Sequence, residues 1–106
     1  MSEAFEALLD ELVADPDVAP GMIFGHRAAK LGKRVFCTGF EEDLVAKLGA
    51  ERVQDLIATG AATAFDPMGG RPMTAWAQIP PPDGDPVAGW LVYAEEAKQF
   101  VASQDG

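Results

Sequence analysis

Short apolar runs broken by glycine and proline fill the middle of this chain, and a helical pattern of apolar residues stands at each end. The first pattern predicts a helix that Ser2 caps and Pro16 ends, with one apolar stripe of Phe5, Leu8, Leu9, Leu12 and Val13. The last begins with Asp85 as N-cap and Pro86 in the first turn, and its stripe holds Val87, Trp90, Leu91, Ala94, Ala97 and Val101, with Phe100 at the margin. Helices around a strand-rich centre predict an α+β protein.

The middle of the chain predicts five short strands and one further helix. Residues 18–21 are expected to form a loop. The first strand begins at Met22, and the second and third strands cover residues 35–38 and 44–48. A helix over 50–58 and a hairpin joining 61–65 to 73–79 complete the series. The predicted order is αβββαββα, a mainly antiparallel five-stranded sheet packed by helices. At 106 residues, the chain fits a single domain, 1–106, with a core over about 4–102.

The hairpin around Gly32 has two alternative registers. A two-residue turn of Leu31 and Gly32 puts His26 opposite Cys37, whereas a three-residue turn with Gly32 in the left-handed conformation puts it opposite Phe36. We favour the second register, because leucine tolerates positive φ poorly and the first register sets two lysines directly opposite each other.

Acidic residues outnumber basic ones by 17 to 8, which gives a net charge of −9. The charge is uneven, since residues 1–20 carry −6, residues 21–82 carry +1 and residues 83–106 carry −4. Binding of phosphates over a broad surface requires a basic footprint, so we expect no direct contact with nucleic acid. The basic residues concentrate in the predicted hairpin around Gly32, whose tip is expected to be solvated.

The single cysteine, Cys37, excludes an internal disulfide framework and suits a reducing compartment. The first residues carry acids where a secretory signal has bases, and no apolar run is long enough to cross a membrane. We therefore expect a cytoplasmic protein with no membrane contact.

An ordered set of short segments runs through the chain: GMIFG at 21–25, GKRVF at 32–36, LVAKL at 44–48, ERV at 51–53, FDPM at 65–68, GRPM at 70–73, Trp76, and IP at 79–80. This set resembles the N-terminal domain of the TfoX/Sxy family, which is named after competence regulators of bacteria, and it covers roughly residues 18–102. Those regulators carry a further C-terminal domain, for which 106 residues leave no room, so we expect a stand-alone N-terminal-like protein. The resemblance implies the fold and a regulatory role, and it offers no catalytic residues to carry over.

The chemically suggestive residues favour structural roles. A metal site needs more ligands than His26 and Cys37 supply, and the glycines before Arg71 lead into a strand rather than into the helix of a phosphate loop. The acids over 41–43 are expected to lie in a solvated turn, where nothing separates their pKa values for acid–base work. We therefore predict no catalytic residue, no metal and no cofactor.

Four residues are the candidates for an interaction surface: Trp76, Arg71, Arg27 and His26. Trp76 stands between polar neighbours on its strand, so we expect it to pack under a helix or to line a dimer interface or groove. The leading hypothesis is a non-enzymatic domain that binds a protein partner or a second copy of itself as a homodimer. The alternative is a small-molecule-binding domain or minor enzyme with a pocket between sheet and helices. A third hypothesis, a transcriptional or competence co-regulator, follows from the family resemblance.

Overall fold

A computed structural model describes residues 3–23, 25–67, 69–70 and 72–104 of the chain. Within these residues the elements are α1 (Glu3–Leu12), β1 (Val18–Ile23), β2 (His26–Leu31), β3 (Arg34–Phe40), β4 (Asp43–Lys47), α2 (Ala50–Thr59), β5 (Thr63–Ala64), β6 (Trp76–Ile79) and α3 (Pro86–Gln104). All strands join one antiparallel sheet in the order β1-β2-β3-β4-β6-β5. The α+β class and the helix-packed antiparallel sheet are confirmed, but the sheet has six strands instead of five.

The extra strand arises because the predicted first strand is divided: β1 ends at Ile23 and an antiparallel β2 begins at His26. β1 also covers residues 18–21, which were predicted as a loop. The backbone N–H of Val18 donates to the carbonyl of Asp15 instead of to β2. Because hydrogen-bonding directions alternate along a strand, Pro20 and Met22 also point their backbone groups away from β2. Proline is tolerated at such an edge position, since no ladder hydrogen bond is lost there. The proline that suggested a loop therefore marks the outer edge of the sheet.

The hairpin between β2 and β3 follows neither of the two predicted registers. Leu31 pairs with Arg34 across a two-residue turn in which Gly32 has a φ of 64°. Glycine suits the first position of such a turn. A bulge at Phe36 then shifts the pairing, so that His26 lies across from Phe40. The bulge places two successive β3 side chains, those of Phe36 and Cys37, in the core under the helices, which a regular strand could not do.

The helices in the described part of the chain pack on one face of the sheet. The apolar stripes predicted for α1 and α3 are confirmed, and α2 adds Val53 and Leu56 to the same core. The close approach of α1 to the sheet depends on Gly39, where a Cβ would lie 2.9 Å from the Phe5 ring. The Ser2 cap lies outside the described residues.

The start of α3 agrees closely with the sequence prediction. Asp85 accepts hydrogen bonds from the backbone N–H groups of Val87 and Ala88, at 3.0 and 3.3 Å, and Pro86 is the first helical residue. One turn later the fully buried Trp90 donates its indole N–H to the carbonyl of Pro80, at 3.2 Å. This bond ties α3 to the loop that follows β6.

An ion-pair cluster joins the loop after α1 to α3. The Lys98 ammonium lies 2.8 Å from a carboxylate oxygen of Asp15 and 3.0 Å from one of Glu95. These bonds hold the pKa of Asp15 below its ordinary value and raise the pKa of Lys98. The cluster fixes the start of β1 against the last helix.

Replacing Lys98 with methionine is expected to lower the free energy of unfolding slightly at neutral pH and much less in acid. The pKa of Asp15 is depressed in the folded chain, so its contribution is present above the unfolded value of 3.8 and is lost as the pH falls through the lowered pKa. The raised pKa of Lys98 has the opposite dependence: its contribution disappears as the pH rises through that value. Urea unfolding of both proteins at about pH 7 and about pH 2.5 measures this; an equal loss at both pH values would contradict it.

Candidate contact surface

The sheet face opposite the helices carries a second, smaller core. Val45, Phe65 and Trp76 are buried there, at 0, 0 and 7% exposure. Half-buried apolar side chains surround these three: Ile23, Val35, Phe40, Met73 and Ala75. We call this side, with these eight residues, the helix-free face. Its apolar centre is only partly withdrawn from solvent, whereas the core under the helices is closed.

Strand register arranges the helix-free face in three rows across the sheet. The middle row is made mostly of small side chains: Gly21, Ala28, Thr38, Val45 and Gln78. Thr38 is 1% exposed, and its hydroxyl donates to the carbonyl of Arg27 at 2.7 Å, so no polar group is left unpaired in the middle of the row. The side chain of Lys30, from a neighbouring row, lies over Gly21, where a Cβ would come within 2.8 Å of it.

Three aromatic rings in successive contact cross the helix-free face. The rings of His26 and Phe40 meet edge to face with centroids 5.4 Å apart, and Phe40 meets Phe65 in the same manner at 5.2 Å. Phe65 is fully buried, while His26 and Phe40 are half-buried. The three rings therefore extend from the buried small core to the outer part of the face, where His26 and Phe40 are partly exposed to solvent.

The connection between β5 and β6 covers the small core. The Met73 N–H donates to the carbonyl of Phe65 at 2.8 Å, and the Trp76 N–H donates to the carbonyl of Met73 at 2.9 Å. Asp66 closes the loop by accepting from the Gly70 N–H at 2.8 Å. Trp76 is consequently buried, yet on the side away from the helices. Trp76 therefore does not pack under a helix, because its own loop covers it. That it lines a dimer interface or groove stays a prediction.

Opposite charges lie at the two ends of the helix-free face. Lys30 and Lys47 lie in the row that contains Val35, and Lys33 lies in the adjoining turn; these three form the basic end. At the other end of the same strands lies the acidic end, formed by Glu41, Glu42 and Asp43.

Several of these charges have no oppositely charged partner in the part of the chain that the structure describes. Among the described residues no ion pair engages any of the three lysines of the basic end. At the acidic end Asp43 accepts a hydrogen bond from the Gln78 amide at 2.7 Å, while Glu41 and Glu42 are exposed. Two further carboxylates, Asp17 before β1 and Asp66 after β5, lie at the outer strands on the same end of the sheet as the lysines, so the positive charge of that end is concentrated on its central strands. The apolar centre thus lies between a positive end and a negative end.

Of the three predicted interaction residues that the structure describes, two lie on this face. His26 lies near the acidic end and Trp76 beside Lys47 at the basic end. Arg27 belongs to the opposite face, where its guanidinium lies 3.8 Å from the Glu6 carboxylate of α1. Arg71 lies outside the described residues. The sequence did not point to Phe40, because its role depends on the bulge that sets it against His26.

Cys37 is fully buried under the helices, and burial raises the pKa of its thiol. Because the thiolate is the reactive form, we expect the native protein to resist a thiol reagent such as a disulfide-exchange chromophore. Release of the chromophore should become fast only when urea unfolds the chain. Rapid stoichiometric labelling of the folded protein would contradict this placement of β3.

A shallow depression of about 440 Å³ opens where α2 begins, against the ring of Phe100. Its lining combines this ring with the carboxylates of Glu51 and Asp55 and with Arg52, whose guanidinium already binds Glu96 at 2.8 and 3.3 Å. The depression does not lie between the sheet and the helices, where the sequence hypothesis placed a pocket.

The described residues lack a metal cluster, a membrane-spanning helix and an unpaired buried polar side chain. They contain no group of three or more His, Cys, Asp or Glu side chains placed to hold a metal ion. No helix among them is long and apolar enough to cross a membrane. Every buried side-chain nitrogen and oxygen in this part of the chain has a hydrogen-bond partner. None of these observations points to a bound ligand.

Comparison with known proteins returned no match: no family model, no curated protein and no solved structure is similar to this chain.

Proposed function

We propose that this chain is a non-enzymatic cytoplasmic domain that acts through protein–protein contacts made by the helix-free face. The observation that carries the proposal is the half-buried apolar surface around Phe40 and Val35, which no helix in the described part of the chain covers. Apolar surface of this kind, rimmed by charges, is typical of interaction sites. A regulatory role through a protein partner, as the resemblance to the TfoX/Sxy N-terminal domain of bacteria implies, fits this mode of action.

The two edges of the sheet are poorly suited to pairing with a strand of another protein. Contact through the helix-free face is therefore favoured. Pro20 removes a backbone donor from the outward side of β1, which weakens pairing with an incoming strand. At the other edge β5 has only two residues. Short or proline-containing edges resist edge-to-edge association, so the broad face is the larger available surface.

A photocrosslinking amino acid at position 40 tests the proposed function. Benzoylphenylalanine in place of Phe40 keeps an aromatic ring on the face, and the same group in place of the exposed Val92 on α3 serves as the matched control. In cells that express the chain, we expect protein adducts from position 40 and few from position 92. Adducts from neither position, or equally from both, would overturn the proposal.

The alternative function is the binding of a small molecule in the depression at α2. Its volume of about 440 Å³ lies in the range of ligand sites, which favours this second candidate. A thermal-shift screen of metabolites tests it, because a ligand that binds only the folded chain raises its melting temperature. Stabilisation that Arg52→Ala abolishes would support the alternative, and no stabilisation across a broad panel would count against it.

A further inference from the structure

We propose that the partner of the helix-free face is a second copy of this chain, stacked face to face and antiparallel about a two-fold axis. This inference rests on the proposed function, since it names the protein that the surface binds. It is carried by the charge pattern of the face, in which an apolar centre separates the basic end from the acidic end.

The two charged ends are far enough apart to act separately. Lys30, in the row of the basic end, lies four positions along β2 from His26, in the row of the acidic end. At a rise of about 3.3 Å per residue this is a separation of about 13 Å, before the turns that carry Lys33 and Glu42 are included. That distance exceeds the Debye length at physiological salt, so salt screens the two ends from each other. Each end therefore interacts with the charges of a partner independently.

A two-fold axis makes such a face complementary to itself. When the axis lies in the plane of the interface and perpendicular to the strands, the basic end of each protomer covers the acidic end of the other. Both contacts are then attractive, and the apolar centres around Phe40 meet between them. An axis along the strands would instead place like charges together, which costs free energy. The charge pattern therefore selects the antiparallel arrangement.

The molecule is large enough for this contact. Its extents are 35, 34 and 24 Å. A two-layer arrangement is thinnest across its layers, so the face is bounded by the two longer dimensions. The rectangle of these two dimensions is larger than the roughly 800 Å² per partner that specific interfaces bury. A second copy therefore provides a partner of complementary charge and equal size.

Two charge-reversal variants test the arrangement on the full chain by sedimentation equilibrium over a dilution series. One variant carries Lys33→Glu and Lys47→Glu, which makes both ends of its face acidic. The other carries Glu41→Lys and Glu42→Lys, which makes both ends basic. A matched control, Glu51→Lys with Asp55→Lys, reverses two exposed carboxylates on α2, away from the face.

We expect the unmodified chain and the α2 control to dimerise with similar dissociation constants. Each face variant alone should dimerise at least about tenfold more weakly, because both ends then repel. An equimolar mixture of the two face variants should recover the dimer, since acidic ends now meet basic ends, and rising salt should weaken it. Failure of the mixture to recover would overturn the arrangement.

A chain that stays monomeric at every concentration would overturn the self-association altogether. If position 40 then crosslinks to a different protein in cells, the proposed function stands and only the identity of the partner is wrong. If position 40 gives no adduct either, both proposals fail.

Discussion

Replacing Trp90 with alanine is expected to lower the free energy of unfolding by about 3–5 kcal/mol. Trp90 is the largest side chain of the described core, fully buried between α3 and the sheet, and its indole N–H bonds to the carbonyl of Pro80. Alanine would leave a cavity and also an unpaired carbonyl. A chain of this size has only about 5–15 kcal/mol in total, so the variant should be partly unfolded near physiological temperature. Urea unfolding followed by circular dichroism measures the loss.

Two further variants separate packing at Trp90 from its hydrogen bond. Trp90→Phe keeps most of the apolar contact and removes the donor, so its loss should be about 1–2 kcal/mol. Val92→Ala, two residues along α3 at a position that is 66% exposed, should change stability by less than about 0.5 kcal/mol. A loss below about 1 kcal/mol for Trp90→Ala would contradict the position of α3 on the sheet.

Replacing Gly49 with alanine is expected to lower the free energy of unfolding by about 3 kcal/mol. Gly49 joins β4 to α2 with φ 91° and ψ 148°, a backbone conformation that is nearly restricted to glycine and strained for other residues by about 1–3 kcal/mol. A Cβ there would also lie 2.8 Å from the ring of Phe100, so that ring would have to shift. The measurement is again urea unfolding, with the change in midpoint read at constant slope.

Gly60→Ala is the matched control for Gly49→Ala. Gly60 also has positive φ, at 83°, but a Cβ there would meet nothing within 4 Å. Its replacement should therefore cost only the left-handed strain, about 1 kcal/mol. In a Phe100→Leu background the loss at Gly49 should shrink towards that of the control. Equal losses at both glycines would show that contact with Phe100 contributes nothing.

The helices could be predicted from the sequence because their signals are local. The stripe of α1, the Asp85 cap of α3 and the terminating Gly60 of α2 each depend on residues within a few positions of one another. Gly60 takes the left-handed conformation and its N–H caps the helix, as its position predicts. The apolar stripes also identified which face of each helix packs on the sheet, because the helical period determines which residues share a side.

The edge strand and the hairpin register could not be predicted because their causes are not local. Pro20 signals a loop in isolation, and only the absence of a further neighbour beside β1 makes it acceptable in a strand. The bulge at Phe36 is favoured by the core under α1 and α3, which accepts two successive β3 side chains.

The candidate surface was only partly predictable for the same reason. Alternation holds within β6, with Trp76 and Gln78 on one side and Ala77 and Ile79 on the other. It does not extend to Met73 and Ala75 before the strand, which pack with Trp76. Burial of Trp76, however, depends on its own loop folding back through the bond from Met73 to Phe65. The charged ends of the face become visible only when the strands are placed in register, because Lys47 and Lys33 are distant in sequence.

The most direct test of the central claim is crosslinking between two variants that each add one exposed cysteine, Lys33→Cys and Glu42→Cys, with a bismaleimide of about 10 Å reach. Cys37 is buried and should not react with the maleimide. Stacked sheets lie about 10 Å apart, which the reagent can span. The account predicts efficient crosslinking in a mixture of the two variants and little with either variant alone, because positions 33 and 42 lie at opposite ends of the face. Crosslinking of Lys33→Cys to itself with equal efficiency, or no crosslinking in the mixture, would contradict the antiparallel stacking of the helix-free face.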